Sequence, residues 1–237
     1  MTRSGSGVVV VIPAYQEAAN LAILLDGVFS ALPDAHVLIV EDASGDGTPE
    51  LVRAHARFGI ALFLSERAGK SGFASALGVG YRWALERDAE VIVQMDADLS
   101  HDPGDLPLLL DALEAGADLV VGSRYCPGGG IEHWSRWRLL LSRAAGFYVR
   151  AWTGLPLHDP TAGFRAFRAG SLRSALATPK HCDGYGFQVE IAHAVWTQQG
   201  TIREVPVIFS ERREGGSKLS SRIVWEAILR VPFLRAR

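Results

Sequence analysis

The sequence predicts an α/β fold around a mainly parallel sheet, and three observations lead to that class. Short β-branched or aliphatic runs alternate, through the first half, with longer segments whose apolar residues recur at helical spacing. Such alternation is typical of parallel sheets covered by helices. Carboxylates directly follow two of the apolar runs, at the strand ends where ligands bind in sheets of this kind. The 237 residues, 48% of them hydrophobic, are enough to form one substantial core.

The elements of the first half follow in order from two patterns. Residues 8–12 are an unbroken β-branched run that Pro13 ends, which is typical of a strand buried on both faces. Residues 20–32 place their leucines on one stripe, which predicts a helix with Asn20 as its N-cap. The same two patterns predict strands at 37–40, 61–64 and 91–95 and helices at 49–58 and 75–87.

The second half is less regular and is expected to contribute two amphipathic helices. Residues 137–152 carry an apolar stripe edged by arginines, and residues 221–234 are apolar almost all round. Both segments fit helices that lie in a membrane interface, although the first also fits ordinary packing and the second also fits a buried helix. We expect a disordered tail at 1–7 and a single domain at 8–237, with 134–155 and 220–237 as candidate membrane-interface helices.

Charge is divided unevenly along the chain, although the formal net charge is only −2. Residues 1–133 carry 8 Lys/Arg and 19 Asp/Glu, whereas residues 134–237 carry 16 and 7. This division fits an acidic half that holds a metal ion and a basic half that faces an anion or a membrane surface. Chance segregation of solvated side chains is the alternative.

Composition excludes several classes of protein. Two cysteines are too few for a secreted disulfide framework, and no apolar run approaches the ~20 residues that cross a bilayer. The first residues contain no signal-peptide core. We therefore expect a protein of the cytosol or of a membrane surface.

The strongest local signal is the pair Asp96 and Asp98, directly after the predicted strand 91–95. Mg²⁺ and Mn²⁺ prefer oxygen ligands and are held by one or two carboxylates together with substrate phosphates. The pair therefore indicates a metal–diphosphate site, and an acidic turn that caps the next element is the alternative. A second acidic cluster, Glu41 and Asp42 with Asp46, is placed to accept hydrogen bonds from a ribose or a base.

Other signals are weaker or exclude a class. Gly69-Lys70-Ser71 resembles the end of a P-loop, but Leu64 stands where the pattern needs glycine, so a P-loop NTPase is excluded. No G-x-G-x-x-G follows the first strand, which disfavours a nicotinamide dehydrogenase. Basic side chains that converge on one cleft would bind phosphate, although each alone is more typical of a solvated surface. The candidates are Arg124, Arg138, Arg165, Arg212, Arg213 and Lys218.

Three motifs in this order resemble family-two inverting glycosyltransferases of the GT-A fold. They are I-P-A-Y-Q-E at 12–17, V-E-D-A-S-G-D-G-T at 40–48 and D-A-D-L-S-H at 96–101. Later motifs are similar to polyprenol (dolichol) phosphate mannose synthases, and the resemblance covers roughly residues 8 to 220. These are G-S-R-Y at 122–125, the glycines at 128–130, Trp134, and the segments 159–165, 184–190 and 211–219.

The resemblance implies transfer of mannose from GDP-mannose to a polyprenyl (dolichyl-type) phosphate, with inversion and with Mg²⁺ or Mn²⁺. It implies a catalytic group of Asp98, Arg124 and Arg212. It places the guanosine at Pro13, Tyr15, Glu17, Val40 and Asp42, and the diphosphate at Asp96, Ala97, Asp98, Arg124, Arg212 and Lys218. It places the metal at Asp96, Asp98 and Ser100, with Asp98 as the main ligand, and the acceptor phosphate at Arg138 and Ser142.

The resemblance also implies a cytoplasmic protein, peripheral on the cytoplasmic face of a membrane, with no nucleic-acid partner and a separate membrane-anchor protein as a candidate partner. Two other functions remain open. One is a glycosyltransferase that uses a UDP-sugar and acts on another lipid phosphate or on a saccharide. The other is a catalytically silent subunit that binds a membrane or a partner, which the intact acidic and basic motifs disfavour.

Overall fold

The computed structural model describes residues 5, 7–210 and 229–234 of the chain. In this part the strands are β1 (Val8–Ala14), β2 (His36–Glu41), β3 (Leu62–Glu66), β4 (Val91–Gln94), β5 (Leu119–Ser123), β6 (Gly130–Ile131), β7 (Arg165–Arg168), β8 (Ile202–Pro206) and β9 (Ile208–Phe209). The α-helices are α1 (Ala18–Ala31), α2 (Thr48–Ala54), α3 (Phe73–Leu85), α4 (Leu106–Glu114), α5 (Arg136–Thr153), α6 (Ala169–Ala177) and α7 (Tyr185–Thr197).

Seven strands form one sheet in the order β3-β2-β1-β4-β7-β5-β8, which is mainly parallel as predicted. Strand β1 lies near its centre, between β2 and β4, and both neighbours run parallel to it. Val10 and Val11 are fully buried on opposite faces, because both faces of the sheet are covered by helices. Helix α3 packs closely on one face, since a Cβ at Gly80 would lie 2.2 Å from Val11 Cγ1.

The second half completes the sheet in a way that the sequence pattern did not indicate. Strand β7 runs antiparallel between β4 and β5, and β8 pairs parallel with β5 at the edge. A small second sheet pairs β6 with β9. It brings the segment before α5 beside the segment that follows β8.

Two local predictions differ from the structure. Helix α1 begins at Ala18, so Asn20 lies within its first turn and its side-chain amide donates to Glu17 Oε2 (2.8 Å) instead of capping the helix. Helix α2 ends at Ala54, four residues before the predicted end, because His55 has extended backbone angles. The strands predicted at 8–12, 37–40, 61–64 and 91–95 and the helix at 75–87 are confirmed within two residues at each end.

Helix α5 confirms the predicted helix at 137–152. Ser135 caps its amino end by accepting a hydrogen bond from the Arg138 amide (3.3 Å), and Gly154 ends it in a left-handed conformation. Of the helix predicted at 221–234, residues 229–234 are helical and the rest lie outside the described residues, as do residues 1–4 and 6 of the predicted tail. Among the helices that the structure describes, none combines the length and apolar character needed to cross a membrane.

Candidate functional site

The candidate site lies where the carboxyl ends of β1, β2 and β4 meet. These strands are neighbours and parallel, so the loops that follow them emerge at one edge of the sheet. Each loop holds one non-glycine residue in the left-handed region: Gln16 (φ 57°), Ala43 (φ 55°) and Leu99 (φ 60°). Such residues are uncommon and cluster at ligand sites, where the surrounding structure holds the strained backbone.

Carboxylates in the loop after β2 organise the backbone around it. Glu41 is buried, and its two oxygens accept from the amides of Ala43 (2.9 Å) and Ser44 (2.5 Å). Asp46 accepts from the amides of Ala18 (3.1 Å) and Thr48 (3.1 Å), which joins the start of α1 to the start of α2. Burial acts to raise the pKa of Asp46, but these hydrogen bonds outweigh it and hold the pKa below its ordinary 3.8.

Two cationic side chains from the segment after β3 contact residues that are predicted to bind the nucleoside. Arg67 forms an ion pair with Asp42 (2.5 Å) and donates to Ser75 Oγ (2.6 Å). Lys70 places its Nζ 3.9 Å from the centre of the Tyr15 ring. The Gly69-Lys70-Ser71 segment that resembles a P-loop therefore lies beside the end of β1.

The loop after β4 orients its carboxylates through neighbouring side chains. Asp98 is 3% exposed, and its Oδ1 accepts from both the amide (3.1 Å) and the hydroxyl (2.5 Å) of Ser100. His101 Nδ1 accepts the amide hydrogen of Asp96 (3.3 Å). A Cβ at Gly163 would lie 3.0 Å from Asp96 Oδ2, so glycine lets the loop before β7 approach this carboxylate.

The donor set fits a hard divalent cation that shares its ligands with a substrate. Within residues 5, 7–210 and 229–234 there is no group of three or more His, Cys, Asp and Glu side chains that would hold a metal by itself. Asp96 and Asp98 supply carboxylate oxygens at one loop, and Mg²⁺ or Mn²⁺ commonly completes its coordination with phosphate oxygens and water. The Ser100 hydroxyl donates to Asp98 and so fixes the orientation of this carboxylate, as hydrogen-bond partners of metal ligands do, and the role of Ser100 as a third ligand stays a prediction.

Arg124 follows β5 and is held by the carboxylate of Asp159, a pairing that the sequence did not predict. Its Nε and Nη2 donate to the two oxygens of Asp159 (2.6 and 2.7 Å), and its amide donates to Asp159 Oδ2 (3.1 Å). Burial opposes the charge of Arg124, but Asp159 outweighs burial and raises the pKa of the guanidinium above its ordinary value. Asp159 in turn donates its own amide hydrogen to Glu204 Oε1 (2.8 Å).

Arg165 does not belong to an anion cleft, which corrects the expectation that it is one of the converging cations. It is fully buried, and it donates to the carbonyls of Pro160 (2.6 Å), Ala162 (2.7 Å) and Gln188 (2.7 Å). Burial lowers its pKa to about 10. Arg165 therefore shapes the segment that carries Asp159, and its charge does not reach a ligand.

The predicted acceptor residues lie at the start of α5, beside a row of aromatic rings. The Arg138 guanidinium lies 3.9 Å above the Trp134 ring, and Ser142 Oγ accepts from the Tyr125 hydroxyl (2.7 Å). Trp134 packs edge-on against Phe209 (5.5 Å), and Phe209 packs against His101 (5.6 Å). We call His101, Phe209 and Trp134 the aromatic bridge, because they join the loop after β4 to the start of α5.

The remaining predicted residues divide into three groups. Pro13, Tyr15, Glu17 and Ala97 lie in or after β1 and β4 at the same sheet edge. Val40 is fully buried among core side chains, so it offers a ligand only its backbone. Arg212 and Lys218 lie outside the described residues. Sequence reasoning named Asp159 only as the start of the motif 159–165 and did not single out Arg67. It missed both ion pairs, because the partners are distant from each other in the chain.

Comparisons with known proteins match one family model and several named relatives. The model of Glycosyl transferase family 2 matches residues 9–176. An undecaprenyl-phosphate mannosyltransferase of Micrococcus luteus is 42% identical and aligns over 94% of this chain and 92% of its own. A polyprenol monophosphomannose synthase of Mycolicibacterium smegmatis is 40% identical, over 94% of this chain and 84% of its own.

A solved structure shares the fold at low sequence identity. Glucosyl-3-phosphoglycerate synthase of Mycobacterium tuberculosis, in complex with Mn²⁺, UDP-glucose and phosphoglyceric acid, superposes with a TM-score of 0.71. It is 19% identical and covers 97% of this chain and 79% of its own. The predicted GT-A fold is confirmed.

Proposed function

This chain belongs to glycosyl transferase family 2, and on that premise we propose that it transfers mannose from GDP-mannose to a polyprenyl phosphate. The reaction releases GDP and inverts the anomeric carbon. The resemblance to polyprenol phosphate mannose synthases that its motifs indicated is confirmed by an undecaprenyl-phosphate mannosyltransferase at 42% identity and a polyprenol monophosphomannose synthase at 40%.

One structural observation carries the proposal. An acidic loop suited to a metal diphosphate and a cationic helix start suited to a lipid phosphate are joined by the aromatic bridge. A transferase with two anionic substrates must bind both of them so that the acceptor phosphate oxygen can reach the anomeric carbon of the donor sugar. It therefore needs both kinds of subsite close together. The geometry supports such a pair better than a site for one substrate.

On the donor side, we assign the diphosphate and its metal to the loop after β4. Asp96 and Asp98 would hold Mg²⁺ or Mn²⁺, with Ser100 fixing the orientation of Asp98. When bound, the metal offsets the charge of the diphosphate and stabilises the leaving GDP. We assign the nucleoside to the strand ends that carry Tyr15 and Asp42, because ribose hydroxyls and base edges pair with carboxylates and stack on rings.

On the acceptor side, no strong general base is required. The nucleophile is a phosphate oxygen that is already anionic at neutral pH, so it attacks the anomeric carbon as the bond to the diphosphate oxygen breaks. The main obstacle is repulsion between the two substrates. Arg138 and the positive amino end of α5 offset that repulsion and hold the acceptor in line.

We further propose that α5 lies in the membrane interface and presents the lipid phosphate to the site. Its apolar side chains are exposed to an unusual degree: Trp137 is 72% exposed, Phe147 65% and Leu140 58%. An amphipathic helix with aromatic and leucine side chains on one face and basic residues beside them is typical of interfacial binding. The basic residues are Arg136, Arg143 and Arg150.

The test is a donor panel with the purified protein, a short polyprenyl phosphate and Mg²⁺ or Mn²⁺. We expect a prenyl-phosphate hexose, detected by mass spectrometry, with GDP-mannose and with neither UDP-glucose nor UDP-GlcNAc. A product with a UDP-sugar alone would overturn the assignment of the donor. Absence of product with every donor and either metal would contradict the transferase proposal.

A further inference from the structure

The aromatic bridge contains an unexplained buried donor. The Trp134 indole nitrogen is buried, and it has no hydrogen-bond partner among the residues that the structure describes. A buried N–H group without an acceptor destabilises the folded state, so such groups are rare in native proteins. None of the residues that the structure describes supplies this acceptor, so a bound ligand is a candidate for it.

The surroundings of Trp134 favour an anion as that group. The Arg138 guanidinium lies 3.9 Å above the ring, and the Arg124 guanidinium, which is paired with Asp159, lies 5.4 Å from its centre. The Ser135 side chain caps the start of α5 directly after Trp134, so the positive end of the helix dipole is adjacent. A phosphate oxygen combines negative charge with the acceptor that the indole lacks.

We propose that Trp134 is a second contact of the acceptor phosphate, to which it donates its indole N–H beside Arg138. The Arg138 guanidinium lies over one face of the ring, and an oxygen of a phosphate bound by this guanidinium would accept from the indole N–H. The inference rests on the proposed function only in naming the phosphate as that of a polyprenyl lipid.

The aromatic bridge gives this contact a second consequence. Trp134 touches Phe209, and Phe209 touches His101, which accepts the amide hydrogen of Asp96. The aromatic bridge therefore links the residue that would contact the acceptor phosphate to the loop that carries Asp96 and Asp98.

The kinetic test compares Trp134→Phe with Trp134→Leu. Phenylalanine keeps a ring under Arg138 and removes only the N–H group, so we expect the KM for polyprenyl phosphate to rise about tenfold, with kcat and the KM for GDP-mannose unchanged. Leucine also removes the stacking on Arg138 and should raise the acceptor KM further. Trp196→Phe, a half-exposed tryptophan on α7, is the matched control and should behave as the parent protein.

Two kinetic results would overturn the proposal. One is an unchanged acceptor KM in Trp134→Phe. The other is an equal rise in both KM values, which would show a general structural role. Circular dichroism and thermal unfolding establish that each variant is folded before its kinetics are compared.

A binding test requires no sugar transfer and so separates this inference from the proposed function. In protein labelled with ¹⁵N-tryptophan, the Trp134 indole resonance is the one lost in Trp134→Phe. We expect farnesyl phosphate to shift it downfield, inorganic phosphate to do so at higher concentration, and farnesol to leave it in place. Binding of farnesyl phosphate without this shift, no binding at all, or an equal shift with farnesol would each contradict the proposal. A shift in a protein that transfers no sugar would uphold this inference and refute the function.

Discussion

Two arginine–carboxylate pairs in this molecule have the same chemistry and differ in burial. The Arg124 and Asp159 side chains are 10% and 1% exposed, whereas those of Arg53 and Glu66 are close to half exposed. Water screens the second pair, so its ions gain little from each other. The first pair is held by two parallel hydrogen bonds, and it is buried, so water could not solvate either charge if its partner were removed. Its value lies in fixing the segment after β5.

We predict that Asp159→Ala lowers the free energy of unfolding by about 3–5 kcal/mol, because it leaves the Arg124 charge buried and unpaired. The control, Glu66→Ala, should cost less than about 1 kcal/mol. Urea unfolding measures both. A cost for Asp159→Ala as small as that of the control would mean that Arg124 finds water or another partner.

We predict that Asp98→Asn abolishes sugar transfer, with a fall in kcat of at least about a thousandfold, because the amide keeps the shape of the carboxylate and loses its charge for the metal. Asp102→Asn, which alters the exposed carboxylate that accepts from the Gly104 amide, is the matched control. Initial rates at saturating substrates measure the effect. Near-normal turnover in folded Asp98→Asn would remove Asp98 from the site.

Among the elements, the loop between β2 and α2 shows how one exposed carboxylate joins two helices. Asp46 accepts from Ala18 at the start of α1 and from Thr48 at the start of α2, residues that are far apart in the chain. Its pKa lies below 3.8 in the folded protein because the hydrogen bonds favour the ionised form more than burial disfavours it. A group whose folded pKa is lowered stabilises the fold above its unfolded pKa and loses that contribution as the pH falls through the folded value.

We therefore predict that Asp46→Ala lowers the free energy of unfolding at pH 7 by about 0.5–1 kcal/mol, discounted for exposure to water. The difference from the parent protein should stay constant between pH 7 and pH 5 and shrink below about pH 4. Urea unfolding across that range measures it. A difference that grows on acidification would contradict the assigned direction of the shift.

Helix α5 is the element whose exposed surface the function must explain. We predict that Leu140→Ser combined with Leu141→Ser reduces partitioning onto vesicles that contain anionic lipid by at least about tenfold, since each leucine loses apolar contact with the bilayer. Both side chains are exposed, so stability should hardly change. Ile60→Ser, a 75% exposed residue before β3, is the control. Equal sedimentation of the three proteins with vesicles would refute interfacial binding by α5.

In the whole molecule, the acidic and basic halves of the chain supply different parts of the candidate site. The acidic first half supplies β1, β2 and β4 with their carboxylate loops, and the basic second half supplies α5. The aromatic bridge spans the two, with His101 in the first half and Trp134 and Phe209 in the second. Under the proposed function, the first half would hold the metal-bound donor and the second half the anionic acceptor.

The sequence was informative where physical signals are local. Apolar runs predicted β1 to β4, and their direct continuation into Asp42 and Asp96 predicted one functional edge. Strand β7 escaped prediction because four residues with an arginine at each end carry no alternation, and its place depends on pairing with distant β4 and β5. The bidentate ion pair between Arg124 and Asp159 was not predicted for the same reason, because the two residues are 35 positions apart in the chain.

The most direct measurement is transfer of radiolabelled mannose from GDP-mannose to a short polyprenyl phosphate, with and without EDTA. The two-subsite account predicts label in the lipid phase with Mg²⁺ or Mn²⁺, its loss on chelation and its return when excess metal is added. Label that appears equally with EDTA, or that appears with free mannose and not with GDP-mannose, would contradict a metal-bound nucleotide donor held at Asp96 and Asp98.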